Sequence, residues 1–155
     1  HLKQMWPNCP PLILNTNGYF NPEMLIRMRP FVDGFVFDLK VAPTCVDLLG
    51  KAPHYHDFVE SNILRAIEIW GAKNVVVRHL LVPKHVDCCT NYAIDWVERN
   101  AGQAYFNLMD SYIDFENPGE MLSDEEREKI KSLLRGRGFE RLLWNGSLMT
   151  QASRE

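Results

Sequence analysis

Five polar residues end or interrupt apolar runs of the chain, and their types suit recognition of a small charged ligand. Asn15 and Thr16 end the first run, Asp38 and Lys40 end the second, and Arg78 lies within the third. Asp38 and Lys40 are two residues apart, so in a strand their side chains leave on the same face. A carboxylate beside an ammonium group could bind a zwitterion such as an amino acid, and Arg78 could hold a carboxylate or a ribose. The alternative interpretation is a structural ion pair that fills the end of the sheet.

A second group of residues has the types that bind metals. His85 and Cys88 have a permissible spacing for ligands of one ion, and Cys89 follows directly. Adjacent cysteines on an α-helix point about 100° apart, however, and small thiols are common packing residues. We therefore assign no metal ligand and no catalytic residue, and an α/β metal-dependent enzyme that uses His85, Cys88 and Cys89 stays as an alternative. Cys45 is interpreted as a packing residue of the core or of a loop.

The elements that must position these residues alternate between strand and helix. Apolar runs predict four strands, at Leu12–Thr16, Gly34–Lys40, Asn74–Val82 and Ala104–Met109. Helix starts follow them at Pro22, Asp57, Asp87 and Ser123, the last with a capping-box pattern. This alternation predicts an α/β fold with about four parallel strands, and a further extended stretch, Phe139–Trp144, at the sheet edge. Ligands bind at the carboxyl ends of such strands, where the polar residues fall.

Composition narrows the class of protein. The chain has 155 residues, of which 46% are hydrophobic and 24% charged, which is typical of one globular domain rather than a disordered chain. The formal net charge is −3, and no basic stripe indicates a nucleic-acid partner. No apolar run approaches the roughly 20 residues of a membrane span. The four cysteines show no disulfide spacing, which favours a cytoplasmic setting.

Four segments in order carry a resemblance to a known family. They are Asn15 to Tyr19 (NTNGY), Val32 to Lys40 (VDGFVFDLK), Val76 to Pro83 (VVRHLLVP) and Asn107 to Tyr112 (NLMDSY). Together they resemble the later strands of the branch of the radical SAM family that contains the pyruvate formate-lyase-activating enzymes, over roughly residues 12–145. The resemblance implies a partial TIM barrel that binds S-adenosylmethionine and a 4Fe-4S cluster, and that cleaves S-adenosylmethionine reductively to a 5′-deoxyadenosyl radical.

The same resemblance implies roles for the polar residues. Asn15, Thr16, Asp38 and Lys40 would lie near the methionyl end of S-adenosylmethionine, and Arg78 would lie deeper in the same site. The partner of an activating enzyme is a glycyl-radical-type protein from which it abstracts hydrogen. The sequence departs from those enzymes at Asp110-Ser111-Tyr112, where they have a Tyr-His pair.

The family's C-x3-C-x2-C motif is absent from the sequence, and so is its glycine-rich strand. We therefore expect residues 1–146 to be the carboxyl-terminal half of a barrel, without cluster ligands and inactive alone, followed by a disordered polar tail at 147–155. A second alternative is a non-catalytic binding module derived from the same half-barrel. Loss of the preceding strands would leave the first strand as an open edge, which predicts self-association.

Overall fold

A six-stranded sheet forms the centre of the protein. The computed structural model describes residues 8–113 and 121–150. The strands are β1 (Ile13–Thr16), β2 (Gly34–Asp38), β3 (Val75–Leu80), β4 (Tyr105–Met109), β5 (Arg141–Trp144) and β6 (Ser147–Leu148). They lie in sequence order across the sheet; β1 to β5 are parallel, and β6 pairs antiparallel with β5. The predicted α/β class is thus confirmed, with helices connecting the parallel strands.

The helices connect the parallel strands in turn. They are α1 (Glu23–Met28), α2 (Tyr55–Trp70), α3 (Asn91–Ala101) and α4 (Asp124–Leu134). A 3-10 helix spans Pro43–Leu49 after β2, another spans Ala72–Asn74 before β3, and a π-helical turn at Val86–Thr90 leads into α3. Among the described residues no helix is of the length and apolar character that crossing a membrane requires.

Helices cover one face of the sheet. Along β2, Phe35 and Phe37 are fully buried, whereas Val36 and Asp38 between them are not. The same alternation continues in β3 and β4, because successive side chains of a strand point to opposite faces. The buried side chains form one core with apolar residues of all four helices, including Leu25, Ile63, Ile94 and Ile130. The other face, which carries Asp38, remains partly open to solvent.

Two helix starts differ from the sequence predictions. The helix predicted to begin at Asp57 begins at Tyr55 instead, after His54 in a left-handed conformation. Tyr55 is only 3% exposed, so its burial beneath the sheet end holds the backbone in the helix two residues earlier. The predicted start at Asp87 falls inside the π-helical turn, because the N–H of Thr90 reaches back five residues to the carbonyl of His85, 3.2 Å away.

Residues 139–148 contain more strand than the sequence predicted. The stretch at Phe139–Trp144 contains β5, a fifth parallel strand, so the estimate of about four strands was too low. Ser147 and Leu148 form β6, which corrects the prediction that the disordered tail begins at residue 147. The antiparallel return is possible because Asn145 and Gly146 both take positive φ angles and make a tight turn. Residues 151–155 lie outside the described residues.

Candidate functional site

Four of the predicted site residues meet at the carboxyl ends of β1, β2 and β3. Arg78 donates from Nε to Asp38 Oδ1 at 2.7 Å and from Nη2 to Asn15 Oδ1 at 3.0 Å. Lys40 Nζ donates to Asp38 Oδ2 at 3.1 Å. Asp38 is thus the centre of a chain of charged and polar groups that spans three strands. We call Asn15, Asp38, Lys40 and Arg78 the polar cluster.

Strand register explains why residues so distant in sequence meet. Asp38 of β2 lies directly beside Arg78 of β3, and in a parallel sheet neighbours in register share a face. Asn15 is beside Val36, which shares the face of Asp38. The polar cluster therefore lies on the open face, where the side chains of Asp38 and Arg78 keep 19% and 26% of their surface exposed.

The structure does not bring Thr16 into this cluster. Its side chain leaves β1 on the opposite face from Asn15, and Thr16 Oγ1 accepts the N–H of Gly18 at 3.1 Å. Gly18 has a φ of 72°, which glycine adopts readily. The carbonyl of Gly18 in turn accepts from Asn62 Nδ2 at 2.8 Å. In this structure Thr16 therefore shapes the turn after β1.

A hollow of about 280 Å³ opens beside the polar cluster. Its wall has a charged part and an apolar part, formed by Asp38, Leu39, Lys40, Arg78, Leu80 and Met109. Two cationic side chains and one carboxylate line it, so its electrostatic balance favours an anionic group of a ligand. Leu80 is 38% exposed at this edge, which leaves an apolar surface for a neutral part of the same ligand. The hollow could therefore bind one end of a larger ligand, with an anionic group near Lys40 and Arg78 and an apolar part near Leu80.

Tyr55 fixes the end of β2 on which the cluster depends. Its hydroxyl donates to the carbonyl of Asp38 at 3.1 Å and accepts the N–H of Lys40 at 3.0 Å. Burial raises the pKa of Tyr55 to about 12, so the hydroxyl stays protonated and able to donate. Sequence reasoning missed this residue, because the contact depends on where α2 begins.

His79, on the opposite face of β3 from Arg78, also holds the segment after β2 in place. Its Nδ1 lies 2.7 Å from the carbonyl of Leu39, and its Nε2 lies 3.1 Å from Thr90 Oγ1. The ring is 1% exposed, and burial lowers its pKa to about 4. The neutral ring thus donates from Nδ1 to Leu39 and accepts from Thr90. Strand alternation could have found His79, since a residue adjacent to Arg78 must face the helices.

The predicted group of metal-binding types, His85, Cys88 and Cys89, also comes together in the structure, and Cys45 joins it. The ligand atoms of Cys45, His85, Cys88 and Cys89 all lie within 4.8 Å of one another, so this Cys/His group could hold a metal ion. His85 Nδ1 is 3.4 Å from Cys88 Sγ, and Cys88 Sγ is 3.7 Å from Cys89 Sγ. Cys45 packs against the core as a partly buried residue, as predicted, and its sulfur also lies in this group. The sulfur atoms of Cys88 and Cys89 do not diverge as they would on a regular α-helix.

The pKa values of two thiols in this group shift in opposite directions. Burial raises the pKa of Cys89, which is 3% exposed. A hydrogen bond from Cys88 lowers the pKa of Cys45. The four residues come from two segments only, the 3-10 helix after β2 and the turn that precedes α3. Both segments follow strands that contribute to the polar cluster.

Comparison with known proteins finds a similarity over part of the chain. No family model matches the chain. An uncharacterized protein of Methanocaldococcus jannaschii, MJ0674, is 31% identical over 103 residues, which are 66% of this chain and 29% of that protein. The matched part is thus less than a third of the length of this relative. Because this relative is uncharacterized, the similarity assigns no activity to the chain.

Proposed function

We propose that this chain is the carboxyl-terminal half of a radical SAM barrel of the pyruvate formate-lyase-activating-enzyme type and contributes part of its S-adenosylmethionine site. One observation carries the proposal. Asn15, Asp38, Lys40 and Arg78 converge on the open face of a parallel sheet, at the carboxyl ends of the strands. Carboxyl ends of parallel strands are where barrels of this kind bind their ligands.

The sheet architecture supports a half-barrel. The five parallel strands follow one another in sequence order, and within residues 8–113 and 121–150 the helices pack on one face of the sheet. A doubly wound sheet reverses its strand order and has helices on both faces, whereas a TIM barrel keeps one order and one helical layer. The open face of this sheet would therefore be the interior of the barrel.

The polar cluster has the donors and acceptors that the methionyl end of S-adenosylmethionine requires. That end carries a carboxylate and an ammonium group. Lys40 and Arg78 would donate to the carboxylate, and Asp38 and Asn15 would accept from the ammonium group. Leu80 and Met109 would contact the aliphatic chain between these groups and the sulfonium.

The residues present do not fit the family's cluster. In that family a 4Fe-4S cluster supplies the electron for cleavage of S-adenosylmethionine, and its thiolates bind separate iron atoms at different corners. Cys45, Cys88 and Cys89 have ligand atoms within 4.8 Å of each other and of His85, which suits a single ion better. We therefore propose that a cluster would be held by a part of the protein outside this chain, as the absence of C-x3-C-x2-C predicts.

The partner of the enzyme is a separate proposal. A glycyl-radical-type protein is the expected substrate of activating enzymes, and Asp110 stands in the segment that departs from them. Asp110 forms an ion pair with Arg127, and its backbone N–H donates to Asn145 Oδ1 at 3.0 Å. These contacts give Asp110 a structural role in joining the end of β4 to α4 and to the turn after β5. The missing Tyr-His pair at this segment of the sequence is what argues against a glycyl-radical substrate.

The full-length protein encoded by the gene tests the main proposal. Purified without oxygen, it should bind S-adenosylmethionine and, with a reductant, release 5′-deoxyadenosine. Arg78→Gln or Asp38→Asn should weaken binding at least about tenfold, since a hydrogen bond to a charged group contributes roughly 1.5–3 kcal/mol. Lys131→Gln removes an exposed charge on α4 and should leave binding unchanged.

The outcomes separate the alternatives. Binding without 5′-deoxyadenosine under reducing conditions would favour the non-catalytic module. A full-length protein that lacks C-x3-C-x2-C and does not bind S-adenosylmethionine would refute the proposal. The metal-dependent enzyme is less favoured, because catalytic zinc keeps one open ligand position and the Cys/His group offers four protein ligands.

A further inference from the structure

We propose that Cys45, His85, Cys88 and Cys89 form a structural site for one zinc ion that ties the segment after β2 to the segment after β3. Two sulfur atoms bound tetrahedrally to zinc at about 2.3 Å lie about 3.8 Å apart. The sulfur atoms of Cys88 and Cys89 are 3.7 Å apart, and all four ligand atoms lie within 4.8 Å. The set Cys3His is a common structural zinc set.

The π-helical turn is what lets consecutive cysteines serve one ion. The N–H of Cys89 bonds to the carbonyl of His85 at 2.9 Å, and the N–H of Thr90 bonds to the same carbonyl at 3.2 Å. The wider turn brings His85 Nδ1 to 3.4 Å from Cys88 Sγ, while the sulfur of Cys89 stays on the same side. Such turns are rare and occur often at functional sites.

The fourth ligand closes the site from another segment. Cys45 lies 40 residues before His85 along the chain, within the 3-10 helix Pro43–Leu49. A set of ligands from two separate segments converts metal binding into a crosslink between them. Three thiolates and one imidazole are soft or borderline ligands, which favour zinc over magnesium or calcium.

The crosslink would hold the end of the sheet that carries the polar cluster. Cys45 follows Lys40 by five residues, and His85 follows Arg78 by seven. The neighbouring contact of His79 with Leu39 and Thr90 joins the same two segments from inside the core. A bound zinc would therefore hold the segments after β2 and β3 in fixed positions relative to each other. The inference does not rest on the proposed function, because it needs no S-adenosylmethionine.

Zinc content and cobalt spectroscopy of the reduced chain test the proposal. We expect about one zinc per chain by atomic emission, and exchange for Co²⁺ should give the visible bands and thiolate charge transfer of a tetrahedral site. Cys45→Ser should lower zinc affinity at least about 100-fold, since even outer-shell changes cost 10–100-fold. Cys9→Ser is the matched control, because Cys9 is a free cysteine outside the group, and it should keep full zinc content.

One further variant separates ligand loss from misfolding. His85→Cys retains a four-ligand set and should still bind cobalt, with a spectrum shifted toward four thiolates. The proposal is refuted if the reduced wild-type chain takes up neither zinc nor cobalt. It is also refuted if Cys45→Ser binds zinc as tightly as the wild type, or if Cys45 forms a disulfide with Cys88 or Cys89 and the protein binds no metal after reduction.

Discussion

At the scale of the residue, strand alternation was enough to find most of the candidate site. Asp38 and Lys40 were placed on one face because they are two apart, and their 3.1 Å ion pair agrees with that placement. The meeting of Arg78 with Asp38 followed from a parallel sheet with a shared rim. The same reasoning did not exclude Thr16, because a list of polar strand ends takes no account of which face each residue occupies.

Contacts made by irregular segments were not predictable in this way. Cys45 reaches His85 and Cys88 only because a 3-10 helix and a π-helical turn bring them together. Neither conformation has a clear sequence signal, and a regular helix would have turned Cys88 and Cys89 apart. Residues that come together through irregular turns therefore cannot be identified from the periodicity of the sequence.

Buried His79 gives a prediction for the pH dependence of stability. Its pKa falls from 6.5 to about 4 on folding, so the unfolded chain binds the proton more readily. The contribution of neutral His79 to the free energy of unfolding is fully present above pH 6.5. As the pH falls toward 4, the free energy of unfolding decreases by about 1.4 kcal/mol per pH unit, because the unfolded chain takes up the proton. The total is roughly 3 kcal/mol across that window.

The substitution His79→Gln isolates this effect from that of the carboxylates. The variant should be less stable than the wild type at pH 7, by roughly 1–3 kcal/mol, because buried hydrogen bonds are lost. The difference in free energy of unfolding between the wild type and the variant should decrease as the pH falls from 6.5 to 4.5. Urea unfolding at several pH values measures this difference. Parallel curves for the two proteins would show that His79 does not titrate differently on folding.

At the scale of the element, the start of α4 was the clearest sequence signal. Ser123 Oγ accepts the N–H of Glu126 at 3.2 Å, and Glu126 Oε2 accepts the N–H of Ser123 at 2.9 Å. This capping box is local in sequence, so it could be predicted without tertiary contacts. The start of α2 could not, because there Tyr55 joins the helix through its contacts with Asp38 and Lys40.

Glu126 also connects α4 to the rest of the structure. Its Oε1 accepts the backbone N–H of Lys84 at 2.7 Å, in the segment after β3. The carboxylate thereby caps its own helix and fixes the approach to the π-helical turn. One side chain thus contributes both to an element and to the packing between elements.

Removal of the cap should have a measurable cost. Ser123→Ala should lower the free energy of unfolding by about 1 kcal/mol, and Ser123→Asp should restore most of it, since Asp also accepts at the N-cap. Ser132→Ala is the matched control, because Ser132 is exposed within the same helix and alanine is the better helix former. Chemical denaturation of the three variants measures the difference. Equal losses at the two serines would contradict a specific capping role.

At the scale of the whole molecule, the sheet has an open face and an open edge. β1 pairs with β2 on one side, and the described residues place no strand on its other side. The repeat of strand and helix predicted this parallel order, because right-handed crossovers leave few other arrangements. The number of strands was underestimated, since β5 and β6 are short and only their pairing with β4 and with each other makes them strands.

The open edge leads to the last prediction, self-association of the purified chain. Ile13 on β1 is 55% exposed, and unpaired backbone groups of an edge strand recruit further strands. Ile13→Lys should reduce association, because an edge lysine opposes strand pairing. Ile26→Lys is the matched control, since Ile26 is 54% exposed on α1, away from the edge. Light scattering over a range of concentrations should show oligomers for the wild type and Ile26→Lys and mainly monomer for Ile13→Lys. A wild-type chain that stays monomeric at high concentration would contradict the predicted self-association through this edge.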